Sequence, residues 1–195
     1  GFNVADAKVV EKDIPAENGV IHVVDRVITA LPSIDQYIGE NPKYSEFKKL
    51  LDKFLVQYVL NATVSQNYKN IHGTAADIYT KVYNSNLAFS LNNENFLKLQ
   101  DNDGQADTYT MFVPENAALT SFINDVLLEH YPSIEALPVN VIYDFMNAHM
   151  WRTAVWPSKF ASTFSAVGEE ARFDPATDII DKKVLSNGIF YGTNK

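Results

Sequence analysis

The feature that most constrains the fold is a short motif that occurs near both ends of the chain. In residues 17–26 and again in residues 186–195, an Asn-Gly pair leads into an apolar strand. Such a pair is typical of tight hairpin turns, because both residues adopt positive φ angles at little cost. The pairs Asn18-Gly19 and Asn187-Gly188 are 169 residues apart, the size of a domain rather than of a short repeat. The spacing therefore indicates a motif that recurs at domain length, with chance recurrence as the open alternative.

The composition describes a folded, acidic protein. Of 195 residues 46% are hydrophobic, including 12 Phe and 10 Tyr, which is enough for a core and excludes general disorder. The net charge of −8 and the lack of a basic cluster argue against a nucleic-acid partner. The absence of cysteine excludes a disulfide scaffold, a thiolate nucleophile and a cysteine-ligated metal. No apolar run approaches the ~20 residues of a membrane span, and we expect any targeting or anchoring segment to lie outside this sequence.

Hydrophobic periodicity predicts an α+β fold. Residues 8–14 and 20–28 are predicted as paired strands, the second interior because it is apolar on both faces. Helices are predicted at 31–38, after a cap at Ser45, after a cap at Asn116, and beyond Pro138. Residues 61–107 are predicted as short strands and loops. A strand is predicted at 109–113 and a terminal β-meander at 163–167, 171–173, 179–184 and 188–191.

Two sequence boxes resemble those of the fasciclin domain, a family of extracellular adhesion modules. Residues 110–119 match its first box, a strand ending in Phe-x-Pro-x-Asn before a helix, with Phe112, Pro114 and Asn116. Residues 18–25 match the second box at almost every position, and residues 187–191 stand where the same box of the next domain falls. The family carries a Tyr-His pair between the boxes, and Ala148-His149 occupies that place in this chain.

The resemblance implies a fasciclin-like domain with central helices packed on a β-sandwich or meander of short strands. It also implies a division of the chain into three parts. Residues 1–30 resemble the C-terminal strands of a preceding fasciclin-like domain, and residues 31–43 form a linker with a short helix. Residues 44–195 then form one fasciclin-like domain with a long insertion at about 61–107.

The function implied by the resemblance is a non-enzymatic, extracellular adhesion or recognition module that binds proteins or glycans at the cell surface. Residues 187–195 resemble bacterial surface lipoproteins of the Bacteroides type, which implies an outer-membrane location, a lipid anchor upstream and an adjacent fasciclin-like domain. Two alternatives stay open: a glycan-binding component of a bacterial polysaccharide-capture system, or a purely structural spacer. Protein adhesion predicts an apolar surface patch, for instance on the insertion at 61–107, whereas glycan binding predicts an exposed tryptophan.

Candidate contact residues follow the predicted helix beyond Pro138: His149, Trp151, Arg152 and Trp156. Exposed tryptophan rings stack on sugars, and Trp and Arg are enriched at interface hot spots. The alternative is that both indoles seal the core beneath a loop. His149 shares an apolar helix face with its neighbours, so a hydrogen-bonded core histidine is the alternative there.

Metal and catalytic chemistry have little support in the sequence. Asp101, Asp103 and Asp107 around Gly104 are a calcium candidate, but they lack the late glutamate of an EF-hand, and acidic loops are often plain turns. No two of the four histidines are closer than 19 residues, so no helical zinc pair exists. The sequence has no phosphate-binding glycine loop and no nucleophile elbow, so neither an enzymatic activity nor a cofactor is expected.

Overall fold

The structure is a computed structural model that describes residues 2–4, 7–28, 30–92 and 109–195. The chain divides into two compact units, residues 1–31 and residues 32–195. Helix α1 (Ile34–Glu40), which lies in the segment predicted as a linker with a short helix, belongs to the larger unit. Ile34 and Ile38 on this helix are fully buried in the core of that unit. In the described ranges, no helix is long and apolar enough to cross a membrane.

The smaller unit is a three-stranded antiparallel sheet of β1 (Asn3–Val4), β2 (Ala7–Ala16) and β3 (Gly19–Val24), in that order. The predicted pairing of two strands is confirmed. The prediction that the second strand is interior is wrong: five of the six residues of β3 are exposed. The physical reason is its place in the sheet, since β3 is an edge strand that pairs with β2 alone among the described residues.

A bulge in β2 explains the role of His22. The register between β2 and β3 shifts on both sides of Glu11, and Asp13 has a positive φ of 59°. The backbone N–H of Asp13 donates a hydrogen bond to Nδ1 of His22 at 3.2 Å. The histidine thus satisfies a donor that the bulge removes from the ladder. It is exposed and does not lie in a core.

In its described residues, the larger unit has five α-helices and a central sheet with a flanking hairpin. After α1 come α2 (Ser45–Phe54), β4 (Val56–Leu60), α3 (Ala62–His72) and β5 (Tyr79–Tyr83). Then follow β6 (Tyr109–Pro114), α4 (Asn116–Phe122), α5 (Val139–Ala148), β7 (Met150–Trp151), β8 (Ile179–Leu185) and β9 (Gly188–Thr193). A π-helical segment, Ile123–Leu127, extends α4, and short 3₁₀ turns lie at Pro42–Tyr44, Ile134–Ala136 and Pro157–Ser162. The α+β class is confirmed.

The central sheet has the order β7-β6-β9-β8, with β6 parallel to β9 and the other pairs antiparallel. Side chains alternate across the sheet, and each face has its own core. Met111, Val113 and Phe190 pack with the helices on one face. Phe112 and Tyr191 pack on the other with Trp151, Val155, Phe160, Ala171 and Ile189. Because both faces are covered, all six residues of β9 are buried.

The terminal meander is only partly confirmed. β8 and β9 form the predicted antiparallel hairpin. Residues 163–167 and 171–173 do not form strands; a single bridge joins Phe164 to Glu170. The predicted strand at 109–113 is confirmed as β6, but its pairing with β9 is parallel, which a meander does not contain.

Two predicted helix caps are wrong, and one residue accounts for both. α2 begins at Ser45 with no side-chain cap of its own, and α4 begins at Asn116 after the cap residue Glu115. Asn116 caps α2 across the structure: its Oδ1 accepts from the N–H of Glu46 at 3.0 Å, and its Nδ2 donates to the carbonyl of Pro42 at 2.8 Å. Asn116 therefore links the start of α4 to the start of α2 and does not cap α4.

The prediction of short strands and loops for residues 61–107 missed helix α3. Asn61 caps this helix by accepting from the N–H of Val64 at 3.0 Å, and Gly73 ends it in the left-handed region at φ 71°. An Asn cap and a terminal Gly are sequence signals for a helix. They are easy to overlook here because no residue of α3 is buried.

Candidate functional site

The four predicted contact residues lie in the larger unit, but they do not form one site. No hydrogen bond or ring contact joins their side chains to one another in the described part of the chain. His149 is the C-terminal cap residue of α5, where its Nδ1 lies 2.7 Å from the carbonyl oxygen of Phe145. Burial lowers the pKa of His149 below its ordinary value, against the hydrogen bond to that carbonyl. The ring is therefore neutral near pH 7 and is a core-edge histidine.

The two tryptophans differ in exposure. Trp151 in β7 is 2% exposed and packs edge-to-face on Phe112 at 4.7 Å, so its predicted surface contact does not fit the structure. Trp156 is 49% exposed. The ammonium group of Lys182 lies 5.5 Å from the centroid of the Trp156 ring, which is within cation–π range. Trp156 is thus the one of the two that remains available to a ligand.

Arg152 is exposed and borders a shallow hollow of about 250 Å³ with Phe164 and the backbone turn that follows it. Phe164 itself is largely exposed. A cation beside an exposed aromatic ring is an arrangement found at protein interfaces.

The calcium candidates Asp101, Asp103 and Asp107 lie outside the described residues. Within residues 2–4, 7–28, 30–92 and 109–195, no group of three or more His, Asp or Glu side chains is placed to hold a metal ion.

Residues 56–83 form a flap, a two-stranded hairpin with a helix between its strands. Its strands β4 and β5 pair antiparallel from Val56 opposite Tyr83 to Leu60 opposite Tyr79, and α3 connects them at the far end. Within the flap, the N–H of Asn61 donates to the carbonyl of Ile78 at 2.8 Å. The side chain of Ser65 accepts from the N–H of Ile78 at 2.9 Å. These bonds hold the helix against the hairpin.

A polar cluster anchors the base of the flap. Asp35 at the start of α1 accepts from Lys81 at 2.7 Å and from the hydroxyl of Tyr83. Asp52 on α2 lies 3.3 Å from the Lys81 ammonium and 2.5 Å from that of Lys48. Charge-assisted hydrogen bonds of this kind are stronger than neutral ones. Two strand residues thus tie the flap to two core helices.

The anchor shifts the protonation of its members in a consistent direction. Burial acts to raise the pKa of Asp35, but hydrogen bonds from Lys81 and Tyr83 and the charges of Lys81 and Lys48 outweigh it, so that pKa is lowered. Burial and the neighbouring Asp35 raise the pKa of Tyr83 well above its ordinary value. At neutral pH the carboxylate is ionised and the tyrosine is a donor, which is the state that the hydrogen bonds require.

Beyond this anchor, the flap exposes large side chains on its hairpin and its helix. Val64, Tyr68 and Ile71 follow the spacing of one helix face, and none is buried. Ile71 is 75% exposed. The remaining exposed side chains belong to the strands: Tyr58, Val59, Leu60, Tyr79 and Val82. So many large exposed side chains in one segment exceed the single, scattered apolar residues of an ordinary protein surface.

The sequence predicted an apolar patch in this region only as a consequence of protein adhesion. It did not identify the side chains, because the stripe on α3 looks the same whether it covers a core or faces solvent. A usable signal is its chemistry: residues 56–83 are rich in Tyr, Asn and Gln and poor in charge. Buried helices of globular cores seldom carry so many amides.

Comparisons with known proteins point to one family. The fasciclin domain model matches residues 1–30. Among solved structures, the chain is similar to a FAS1 domain pair from the insect cell adhesion molecule fasciclin I, with 13% identity and a TM-score of 0.45. That similarity covers 96% of this chain and 58% of the domain pair, so the chain spans less than two thirds of that relative. No curated protein matches this chain.

The predicted resemblance to a fasciclin-like domain is thereby confirmed, on the segment that contains the first Asn-Gly motif. Fasciclin domains are in general adhesion and recognition modules, and they are typically extracellular.

Proposed function

We propose that this chain is an extracellular recognition module that binds a protein partner through the exposed side of its flap. The observation that carries the proposal is the combination of an anchored base and large exposed side chains. Asp35 holds Lys81 and Tyr83 at the base, while Tyr58, opposite Lys81 on β4, and Ile71 on α3 are 67% and 75% exposed. A contact surface held rigidly loses less conformational entropy on binding than a loose one.

The chemistry of the flap favours protein over nucleic acid or anionic ligands. Tyr58, Tyr68 and Tyr79 offer large, amphipathic contact area with few rotatable bonds, and Asn67 and Asn70 offer adaptable hydrogen bonds. This is the combination that antibody paratopes use for protein surfaces. The ammonium group of Lys81 forms ion pairs with Asp35 and Asp52, so the flap presents little net charge to a partner.

Glycan recognition is a second candidate, favoured by Trp156. Its indole is half exposed, as sugar stacking requires, and Lys182 beside it supplies hydrogen-bond donors. A component of a bacterial polysaccharide-capture system is the form of this candidate that the terminal motif suggests. A purely structural spacer is the third, and it requires neither surface.

We also propose that residues 1–30 are the C-terminal strands of another fasciclin-like domain, in a tandem array at a bacterial cell surface. The exposed apolar strand β3 supports this, because such a strand is normally covered in a finished domain. A lipid anchor and an outer-membrane location belong to the same proposal.

The test is a paired screen on an array of extracellular proteins and an array of glycans. We expect protein binding that is lost, by at least about tenfold in affinity, in the double variant Tyr58→Ser, Ile71→Ser. The matched control Val184→Ser removes a similarly exposed side chain from β8 and should leave binding unchanged. Circular dichroism should show all variants folded, because each replaced side chain is exposed.

Trp156→Ala separates the two candidates on the same arrays. Retained binding in Trp156→Ala together with loss in the flap double variant supports the flap. Glycan binding that is lost in Trp156→Ala and unaffected in the flap variant would replace the proposal with the glycan-binding candidate.

A further inference from the structure

The larger unit has an apolar pocket, separate from the flap, between α4 and the C-terminal half of α5. Its volume is about 260 Å³. Three phenylalanine rings, a leucine, an alanine and a histidine make up most of its wall: Leu119, Phe122, Phe145, Ala148, His149 and Phe173. Phe122 and Phe145 stack on each other with their ring centroids 5.6 Å apart and their planes 20° apart, and both residues line the pocket.

His149 gives this apolar pocket one defined polar atom. Its Nδ1 faces the carbonyl oxygen of Phe145 at 2.7 Å, and because a carbonyl only accepts, Nδ1 carries the hydrogen. In the neutral ring Nε2 is then an acceptor. Nε2 has no hydrogen-bond partner among the described residues. It is nevertheless not one of the fully buried side-chain nitrogen or oxygen atoms that lack a partner. His149 is one of the residues that line the pocket.

The described residues that line the pocket offer no uncompensated positive charge. Lys195 borders it, but its ammonium group lies 2.5 Å from the carboxylate of Asp178. An anionic ligand would exchange its hydration for phenylalanine rings and a neutral imidazole, which is costly. The pocket therefore favours an uncharged ligand that has one hydrogen-bond donor.

Its size limits that ligand further. A cavity of about 150 Å³ with comparable apolar walls holds benzene, so 260 Å³ has room for two fused rings or one substituted ring. We propose that this pocket binds a small, uncharged aromatic alcohol, with its rings against Phe122 and Phe145 and its hydroxyl group donating to Nε2 of His149. The site is independent of the flap and of the proposed protein partner.

The experiment compares three probes of one shape: 2-naphthol, its isostere 2-methylnaphthalene, and the anion 2-naphthoate. Binding is measured on the whole chain by protein-observed NMR titration. We expect saturable binding of 2-naphthol, and at least tenfold weaker binding of 2-naphthoate. In His149→Phe, the affinity ratio of 2-naphthol to 2-methylnaphthalene should fall by about fivefold, the effect of one neutral hydrogen bond.

Two filling variants locate the site. Ala148→Phe and Ala118→Leu add volume to the pocket wall and should each weaken 2-naphthol at least about tenfold, and Ala118→Leu serves where the larger substitution disturbs folding. Ala161→Phe, at an exposed position elsewhere, is the matched control and should bind normally.

The results that would overturn the proposal are equally defined. They are no saturable 2-naphthol binding, tighter binding of 2-naphthoate, an unchanged affinity ratio in His149→Phe, or undiminished binding in folded Ala118→Leu. Loss of protein binding by the flap variants has no bearing on any of them.

Discussion

The two Asn-Gly hairpins have similar sequences and opposite environments. In the first, β2 and β3 pair with each other, and five of the six residues of β3 are exposed. In the second, β9 pairs with β8 on one edge and with β6 on the other, and all six of its residues are buried. What differs is the parallel neighbour, not the hairpin. Burial of a strand is thus decided by distant segments that cover it.

The space around the glycine of each motif differs in the same way, because only the second glycine lies against a parallel strand. A Cβ on Gly188 would collide with the carbonyl oxygen of Tyr109 in β6 and lie 2.9 Å from its carbon. A Cβ on Gly19 would meet nothing within 4 Å. Neither glycine has a positive φ, so the predicted reason for the Asn-Gly pair is wrong. Gly188 is required for close approach of a parallel strand, and Gly19 occupies the same position without that strand.

The largest expected effect comes from Gly192→Val, which gives the second hairpin the residue found at the aligned position of the first hairpin. Gly192 aligns with Val23, and its hydrogen faces the ring of Tyr44, whose Cζ would lie 2.7 Å from an added Cβ. Tyr44 cannot easily move, because it packs on Phe190 at 5.0 Å and bonds Asp181. Gly192→Val should lower the free energy of unfolding by at least about 3 kcal/mol. Urea denaturation followed by tryptophan fluorescence measures this.

The reverse exchange is the control for that variant. Val23→Gly in the exposed first hairpin should leave the urea midpoint of the larger unit unchanged. A loss below about 1 kcal/mol in Gly192→Val would show that the ring of Tyr44 is free to shift.

A somewhat smaller loss of stability is expected when the asparagine of the second Asn-Gly pair is replaced. Oδ1 of Asn187 accepts from the N–H of Ile34 at 2.9 Å, and its Nδ2 donates to the carbonyl of Leu91 at 2.8 Å. Asn187→Ala should cost about 2–4 kcal/mol, because it removes two buried hydrogen bonds and leaves the N–H of Ile34 unpaired. Asn18→Ala, at an exposed turn, should change stability by less than about 0.5 kcal/mol. Equal effects of the two in thermal and urea unfolding would contradict the comparison.

The third prediction tests the glycines directly. Gly188→Ala should destabilise the larger unit by about 2 kcal/mol, because backbone atoms of β6 must move. Gly19→Ala meets no obstacle, so amide protection in the first hairpin should stay the same or rise slightly. If Gly188→Ala were neutral in urea denaturation, the close contact of β6 with β9 would be in doubt.

The smallest effect is a pH dependence confined to the first hairpin. Hydrogen bonds from Arg26 and from the N–H of Lys8 lower the pKa of Asp25 below 3.8. A lowered carboxyl pKa contributes stability above the unfolded-state value and loses it as pH falls through the folded-state value. The protection factor of the Lys8 amide should therefore fall a few-fold between about pH 6 and the lowered pKa.

Asp25→Asn gives that position the residue found in the second motif, Asn194, and is the control for the pH effect. Its Lys8 amide should show a flat protection profile over the same range. A profile in Asp25→Asn as steep as in the unchanged chain would assign the pH dependence to another group.

The sequence predicted those parts of the fold that local periodicity specifies. Helices α2 and α5 follow from regular apolar spacing, as at Phe47, Leu50 and Leu51, and strand β6 follows from a compact apolar run ended by Pro114. The parallel pairing of β6 with β9 could not be predicted, because it joins residues about 80 positions apart and leaves no local pattern. For the same reason, the exposure of β3 was beyond a local argument.

The candidate surfaces show the same limit. Trp151 and Trp156 are chemically alike and five residues apart, and only the packing of Phe112 on Trp151 decides which one is buried. The stripe of Val64, Tyr68 and Ile71 is as regular as a core stripe, and only the structure shows that no residue of α3 is buried.

Hydrogen exchange measured on both hairpins in one sample tests the central claim most directly, namely that the parallel neighbour decides the fate of the shared motif. The account predicts that amides in β9 (Gly188–Thr193) exchange at least about a thousandfold more slowly than those in β3 (Gly19–Val24), because only β9 is paired on both edges and buried on both faces. Protection factors in β3 within about tenfold of those in β9 would contradict it.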